Sequence, residues 1–195
     1  PAAKACVSAQ KVDAESVKLQ IDQFQSREWD LAIDEPTVRV DAKASWDAAL
    51  GRVTAQDVSM TSSTVAFRAQ QVVLQLPASG PAISGKLTYR ADLGRVGQWM
   101  QTPGQAADQQ LTGAGTGSLE ATHEAGVTQV SWTSDAENMV FATRKVNRSP
   151  AGPTLAAASS AWEELWREPK VKLVSRERYD HQRDVLEVQE LSATA

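Results

Sequence analysis

The sequence has few of the residues on which catalytic and metal sites depend. Its 195 residues include one cysteine, Cys6, and two histidines, His123 and His181. A lone cysteine excludes an internal disulfide and a four-cysteine metal site, and a reactive thiol would need a neighbouring base. No apolar run approaches the roughly 18 residues that a transmembrane helix needs. These absences leave little material for an active site.

Charge of one sign is not in marked excess either. The net charge is -4 at pH 7 and no basic stripe runs along the chain, so we expect no nucleic-acid partner. The chain starts with Pro1, and its first residues lack the charged-then-apolar pattern of a signal peptide. We interpret it as a mature piece or a fragment of a longer protein. Its 42% hydrophobic and 23% charged residues are typical of a folded, soluble class.

The sequence does contain an internal repeat. Residues 26–61 align without a gap with residues 159–194, at an offset of about 133 residues. The nine identical pairs are Ser26/Ser159, Trp29/Trp162, Glu35/Glu168, Pro36/Pro169, Val38/Val171, Asp47/Asp180, Gln56/Gln189, Ser59/Ser192 and Thr61/Thr194. Repeats usually build extended surfaces or grooves. We therefore expect residues 1–25 to start a first unit, 26–158 to form one full β unit with a short helix near 92–100, and 159–195 to start a second unit with a helix end and a β-hairpin.

The dominant local pattern is period-two alternation. From Val38 to Trp46 every second residue is apolar and those between are polar, which predicts an antiparallel strand with one buried and one solvated face. Residues 47–51 have the composition of a turn, and a returning strand follows through Val53. The apolar phase slips near Asp57, which predicts a β-bulge or a second turn there.

Alternation continues along most of the chain. Further strands are predicted at residues 17–21, 29–33, 65–69, 72–76, 83–91, 118–123, 127–133, 138–143, 171–179 and 185–191. Helices are predicted at 92–100 and at 154–167, the second ended by Pro169. The alanine-rich start, to about residue 14, is interpreted as a helix end, and residues 77–81 and 102–117 as a break and a loop.

These elements predict a mainly β fold. We expect a curved antiparallel meander, an open β-groove or trough, with one or two short helices. The charged run 176–178 is interpreted as the solvated face of a strand. The six tryptophans either pack the sheet or line a ligand groove, and the recurrence of Trp29 at Trp162 favours packing.

Motifs that carry chemistry elsewhere have simpler structural interpretations here. Residues 113–117 lack the Lys-Ser/Thr pair and the strand–helix setting of a phosphate loop, which favours a flexible hairpin connection. His123 has no second histidine at ligand spacing, which favours a solvated side chain. Asp180 and His181 align with Asp47 and Ala48, so the aspartate fits a turn and the histidine a variable surface position. We predict no catalytic residue, no metal ligand, no cofactor, and a protein that is not an enzyme.

Several segments of the second copy carry a resemblance to a known family. These are residues 166–169 (WREP), 171–173 (VKL), 178–180 (RYD) and 184–192 (DVLEVQELS), together with 85–93 (GKLTYRADL). The chain resembles the AsmA-like family, which includes the TamB-type envelope proteins. In that family a strand, a Tyr-Asp or Trp-Asp turn and a return strand recur along a very long chain.

The resemblance implies an elongated β-trough in the periplasm. It also implies an N-terminal helix, outside this segment, that tethers the protein to the inner membrane. It implies binding or conduction of phospholipid acyl chains for outer-membrane assembly, with other envelope proteins as possible partners and no catalytic residues. Ser175 and Glu177 replace Ala42 and Ala44, which interrupts the pattern. The groove residues we expect are Val38, Val40, Val65, Phe67, Leu74, Leu76, Leu87, Tyr89, Val171 and Leu173. The alternative is a structural or adhesive protein built of closed β-sandwiches that bind no lipid.

Overall fold

A computed structural model describes residues 2–7, 11–28, 31–76, 82–101, 108–144 and 162–195. Within these ranges ten strands form one antiparallel sheet in which every strand pairs with its neighbours in sequence. The strands are β1 Ala2–Val7, β2 Lys11–Glu28, β3 Leu31–Asp47, β4 Arg52–Thr61, β5 Val65–Gln75, β6 Ala82–Asp92, β7 Gln109–Glu124, β8 Val127–Arg144, β9 Trp162–Asp180 and β10 Val185–Thr194. One short helix, α1 Leu93–Trp99, separates β6 from β7. The predicted mainly β, open meander is confirmed.

The sheet has one apolar and one polar face because alternation is kept in register from strand to strand. Directly paired residues point to the same face. Val40 pairs with Met60, Met60 with Phe67, and Phe67 with Tyr89. One residue further along each of these strands, the side chains are polar or charged and point to the other face.

β-Bulges occur where the alternation of apolar and polar residues shifts by one position, and they return the apolar residues to the same face. Lys43 pairs with Asp57 and Ala44 with Ala55, so Gln56 is an extra residue in β4. This confirms the bulge predicted near Asp57, and it returns Ala55 to the apolar face. A second bulge in β5, opposite Gly85, joins into one strand the two segments 65–69 and 72–76 that were predicted separately.

The two copies of the repeat form equivalent hairpins. In the alignment that matches residue 26 with residue 159, the first and last residues of β10 align with the first and last residues of β4. The last residue of β9 likewise aligns with the last residue of β3. The bulge recurs too, because Arg176 pairs with Glu190 and Glu177 with Val188, which leaves Gln189 as the extra residue. Gln189 is the counterpart of Gln56. The aligned sequences therefore build the same local geometry, down to the bulge.

The shared prolines also have a structural counterpart. Pro36 faces Gln23 across the β2–β3 ladder, and Pro169 faces Asn138 across the β8–β9 ladder. Proline cannot donate a ladder hydrogen bond. The facing residues adopt positive φ, 55° for Gln23 and 53° for Asn138, so both ladders contain the same local irregularity. The equivalence between copies thus includes the strand before each hairpin.

The helix lies on the apolar face over the glycine-rich part of β7. Asp92 caps it by accepting a hydrogen bond from the Arg95 backbone N–H at 3.1 Å. Leu93 packs directly on Gly115, where a β-carbon would be 3.3 Å from the Leu93 Cδ2. This confirms the helix predicted at 92–100 and shows that Gly115 of β7 makes room for it.

The sheet is strongly curved at β7. Some Cα atoms of β6 and β8 come within 8 Å of each other, whereas alternate strands in a flat sheet lie about 9.5 Å apart. The helix that follows β6 also approaches β3, three strands away. The sheet is therefore an open trough and is not closed into a barrel or a sandwich in the described part of the chain.

Three predicted elements are wrong. Residues 162–167 are the start of β9, not the end of a helix, and residues 154–161 of that prediction lie outside the described residues. The alanine-rich start is strand in β1 and in β2 from Lys11, not a helix end. Residues 109–117 belong to β7, so they are neither a loop nor a flexible hairpin connection, and residues 102–107 of the predicted loop lie outside the described residues. In all three cases pairing with long neighbouring strands overrides local composition. The break predicted at 77–81 lies outside the described residues.

Candidate functional site

The apolar face of the trough is the most extensive candidate site. Nine of the ten expected groove residues are in strands and lie on this face through the pairings of the sheet; they are Val38, Val40, Val65, Phe67, Leu74, Leu87, Tyr89, Val171 and Leu173. The tenth, Leu76, follows the end of β5, is 54% exposed, and donates its backbone N–H to the Gly51 carbonyl at 3.0 Å.

The face is only partly covered. Among the described residues the buried apolar side chains are Val38 and five alanines. The larger groups on this face, Phe67, Leu87 and Tyr89 among them, are half-buried and are accessible from one side. A closed sandwich would bury such side chains between two sheets, and the described residues provide one sheet.

Tyr89 and Trp132 form a crossing of the trough over β7. The Trp132 indole Nε1–H donates to the Tyr89 hydroxyl at 3.1 Å, so the two side chains meet above β7. Gly117 lies beneath them, and a β-carbon there would be 2.6 Å from the Tyr89 Cζ and 2.5 Å from the Thr133 carbonyl oxygen. Trp132 therefore lines the face and also packs it, as the alternative interpretations of the tryptophans anticipated.

A buried carboxylate fixes the β4–β5 turn. The Glu35 Oε2 accepts hydrogen bonds from the Ser63 backbone N–H at 3.0 Å and from the Ser63 hydroxyl at 2.6 Å. Asp92 donates its backbone N–H to the Thr64 carbonyl of the same turn at 2.9 Å. Burial of Glu35 raises its pKa, but the bonds from Ser63, with smaller contributions from the Thr64 and Ser62 hydroxyls, hold the pKa below its ordinary value of 4.5. The carboxylate is thus kept ionised as a structural clamp.

Two neighbouring turns meet at the end of the trough formed by β7 to β10. The Thr128 hydroxyl lies 2.9 Å from the His123 Nδ1 and 2.8 Å from the His181 Nε2. The two imidazole rings are 5.1 Å apart, and Tyr179 packs edge-on against His181. The Tyr179 hydroxyl donates to the Asp184 carboxylate at 2.5 Å, which raises the pKa of Tyr179.

This cluster corrects the predictions for both histidines. His123 is half-buried and hydrogen-bonded, so it is not a solvated side chain, and His181 is part of the same network, so it is not a free surface variant. The prediction for the aspartate is confirmed. The Asp47 and Asp180 carboxylates accept the backbone N–H of Leu50 and Arg183, three residues on, at 3.1 and 3.2 Å.

Ser175 and Glu177 interrupt the apolar face in β9. Their partners across the ladder are Trp132 and Val130, so both side chains lie on the trough face. The buried Ser175 hydroxyl donates to the Glu177 Oε1 at 2.9 Å. The run 176–178 is therefore not uniformly on the solvated face, because its middle residue points to the other side.

The opposite face carries ion pairs between strands. Arg68 donates two hydrogen bonds to the Asp57 carboxylate at 2.9 and 2.7 Å, and this hydrogen bonding, with the charge of Arg68, lowers the pKa of Asp57. Lys86 and Glu120 pair at 3.1 Å on the same face. Exposed pairs such as these contribute little to stability, because water and salt screen the charges. They do, however, keep this face polar and distinguish it from the trough.

Within the described ranges no three histidine, cysteine, aspartate or glutamate side chains are placed to hold a metal ion. The same residues include no helix that is long and apolar enough to cross a bilayer. Comparison with protein-family models, with curated proteins and with solved structures found no match.

The sequence pattern missed the residues that join separate elements. His123, Thr128 and Tyr179 lie in one row across β7, β8 and β9, but this row can be found only once the strand register is known. The sequence alignment pairs Glu35 with Glu168, but the hydrogen bonds of Glu35 to Ser63 in the next turn have no sequence signal. For Glu177, the period-two pattern of β9 already indicates the trough face.

Proposed function

We propose that this chain binds phospholipid acyl chains along its apolar trough, as a periplasmic segment of an AsmA-like protein that serves outer-membrane homeostasis. The observation that carries the proposal is the half-buried apolar face that continues from strand to strand. Burying one methylene removes about 0.8 kcal/mol of unfavourable hydration. Ten methylenes of one acyl chain would therefore contribute about 8 kcal/mol before the cost of ordering the lipid.

The proposed mechanism is physical and needs no bond chemistry. An acyl chain would lie across Phe67 and Leu87, where the face is open, while the headgroup stays in water. The crossing formed by Tyr89 and Trp132 would restrict the space above β7. In the full-length protein we propose an inner-membrane anchor, with envelope proteins as partners.

The first experiment asks whether the full chain carries lipid. Protein extracted gently from an envelope fraction would be analysed by mass spectrometry, and the purified chain would be titrated with an acyl-labelled phosphatidylethanolamine in vesicles. We expect co-purifying phospholipid and saturable transfer of the label to the protein. The absence of both would favour a structural protein that binds no lipid.

A matched pair of variants locates the binding face. Phe67→Lys with Leu74→Lys adds two charges to the trough, and Gln70→Lys with Gln75→Lys adds the same charges to exposed positions of the same strand. We expect the first pair to lower lipid binding at least tenfold and the second to leave it unchanged, with both proteins folded by circular dichroism. Equal binding by the two pairs would contradict the proposal.

A further inference from the structure

Two histidines from separate hairpins point to one atom. The Thr128 hydroxyl oxygen lies 2.9 Å from the His123 Nδ1 and 2.8 Å from the His181 Nε2. The two ring nitrogens therefore converge on the place that the hydroxyl occupies. A hydroxyl has a single proton to share between them, whereas a metal ion can accept a lone pair from each imidazole at the same time.

The backbone holds both imidazoles at this place. His123 pairs directly with Thr128 across the β7–β8 ladder, so the two side chains lie on the same face. His181 follows the end of β9, and its backbone N–H donates to the Gly126 carbonyl at 2.9 Å. Both histidines are half-buried. The pair is thus positioned by the register of the sheet and by a hydrogen bond between the two turns.

The separation of the two rings fits coordination of one ion. Zinc lies about 2.0–2.1 Å from an imidazole nitrogen and prefers tetrahedral angles, which places the centroids of two bound imidazoles about 5 Å apart. The centroids of His123 and His181 are 5.1 Å apart, with the ring planes at 82°. The rings would therefore need only a small movement to bind one ion between them.

We propose that His123 and His181 bind one Zn²⁺ ion, which replaces the Thr128 hydroxyl as their shared partner and joins the β7–β8 turn to the β9–β10 turn. Imidazole nitrogen is a preferred ligand of zinc, copper and nickel, whereas magnesium and calcium take oxygen ligands. The spacing of histidines in the sequence did not indicate this site, because its two ligands come from different hairpins. The inference does not depend on lipid binding by the trough.

The neighbouring carboxylates are already engaged, so the ion keeps open coordination positions. The Asp180 carboxylate accepts the backbone N–H groups of Gln182 and Arg183 at 3.0 and 3.2 Å, and Asp184 accepts the Tyr179 hydroxyl at 2.5 Å. In the part of the chain that the structure describes, no third metal-ligating side chain joins the pair. Water fills the remaining positions, and the ion is exchangeable, unlike zinc in a closed four-ligand structural site.

The experiment titrates the untagged full chain with Zn²⁺ by isothermal calorimetry, in a Cys6→Ser background that removes the competing thiol. We expect saturable binding of one ion per chain and no binding of Mg²⁺. Loss of an outer-shell partner alone costs about 10–100-fold in metal affinity, so His123→Ala and His181→Ala should each weaken Zn²⁺ binding at least tenfold. The His181→Ala variant should fold, because the equivalent Asp47 turn forms with Ala48 at that position.

A Thr128→Ala variant separates metal binding from the structural role of the hydroxyl. It removes the hydroxyl and keeps both imidazoles, so with its fold checked by circular dichroism it should bind Zn²⁺ at least as tightly as the parent chain. In NMR spectra of the parent, Zn²⁺ should shift the resonances of both imidazoles in parallel. Zn²⁺ binding that is unchanged in the two histidine variants, that is lost in Thr128→Ala, or that shifts one imidazole alone would overturn the proposal.

Discussion

At the scale of single residues, the curvature of the trough depends on the absence of a side chain at Gly117. Tyr89 of β6 and Trp132 of β8 meet directly above this glycine. The Cα atoms of β6 and β8 can then approach more closely than in a flat sheet. The absence of a side chain at this residue therefore decides how two aromatic side chains on the apolar face are arranged.

Gly117→Ala should destabilise the protein by about 1–3 kcal/mol, as overpacking does. A β-carbon would lie 2.5 Å from the Thr133 carbonyl oxygen and 2.6 Å from the Tyr89 Cζ, so the backbone and the ring must both move. Urea unfolding measures the loss, and tryptophan fluorescence should report the displaced Trp132. Thr116→Ala, on the exposed face of the same strand, is the control, and an equal effect in both variants would show that the crossing is not the cause.

A second prediction concerns Glu35 and acid. Its pKa in the folded protein is held below the ordinary value of 4.5, so the native state binds fewer protons than the unfolded state near that pH. The stabilisation is present above pH 4.5 and is lost as the pH falls through the lower, folded value. Glu35→Gln should flatten this acid-dependent part of the free energy of unfolding. A wild-type slope retained in Glu35→Gln would assign the acid sensitivity to other carboxylates.

At the scale of elements, the Thr128 hydroxyl joins two hairpins. It has one proton, so it can donate to one imidazole and must accept from the other. Thr128→Val preserves the shape of the side chain and leaves both the His123 Nδ1 and the His181 Nε2 without this partner. We expect a loss of about 1–3 kcal/mol in urea unfolding, with shifted imidazole resonances in both histidines. Thr122→Val, exposed beside His123, should cost much less; similar losses would mean that the hydroxyl bridge is unimportant.

The elements also show how far alternation predicts this fold. Period two indicated most strands, the phase slip at Asp57 indicated the bulge, and the aligned aspartates indicated the turns. Alanine-rich and glycine-rich segments were misassigned because their conformation depends on the strands beside them. The contacts of Glu35 and of the histidine pair depend on register between distant segments, which no local pattern contains. The apolar face could therefore be predicted from the sequence, whereas the contacts of Glu35 and of the two histidines could not.

At the scale of the whole molecule, the apolar character of the trough face is not uniform from one strand to the next. Through β3 to β8 its rows contain aliphatic and aromatic residues, such as Val58, Ala69, Leu87 and Trp132 in one row. In β9 the next position of that row is Ser175, and Glu177 follows on the same face. A passage for acyl chains would therefore meet a carboxylate before it reaches β10.

Glu177→Leu should make this face continuous and strengthen binding of the acyl-labelled phosphatidylethanolamine. The leucine would join Val130 and Val188, its direct partners across the ladders, and a gain of about 1 kcal/mol in apolar contact with lipid corresponds to roughly fivefold in affinity. Glu187→Leu is the matched control, because it places the same side chain on the opposite face of the neighbouring strand, where Glu187 now pairs with Arg178 at 3.2 Å. If Glu187→Leu strengthens binding as much as Glu177→Leu does, the gain reflects general hydrophobicity and the trough does not conduct acyl chains past β9. If Glu177→Leu alone gains affinity, the carboxylate marks the point where the proposed lipid path is restricted.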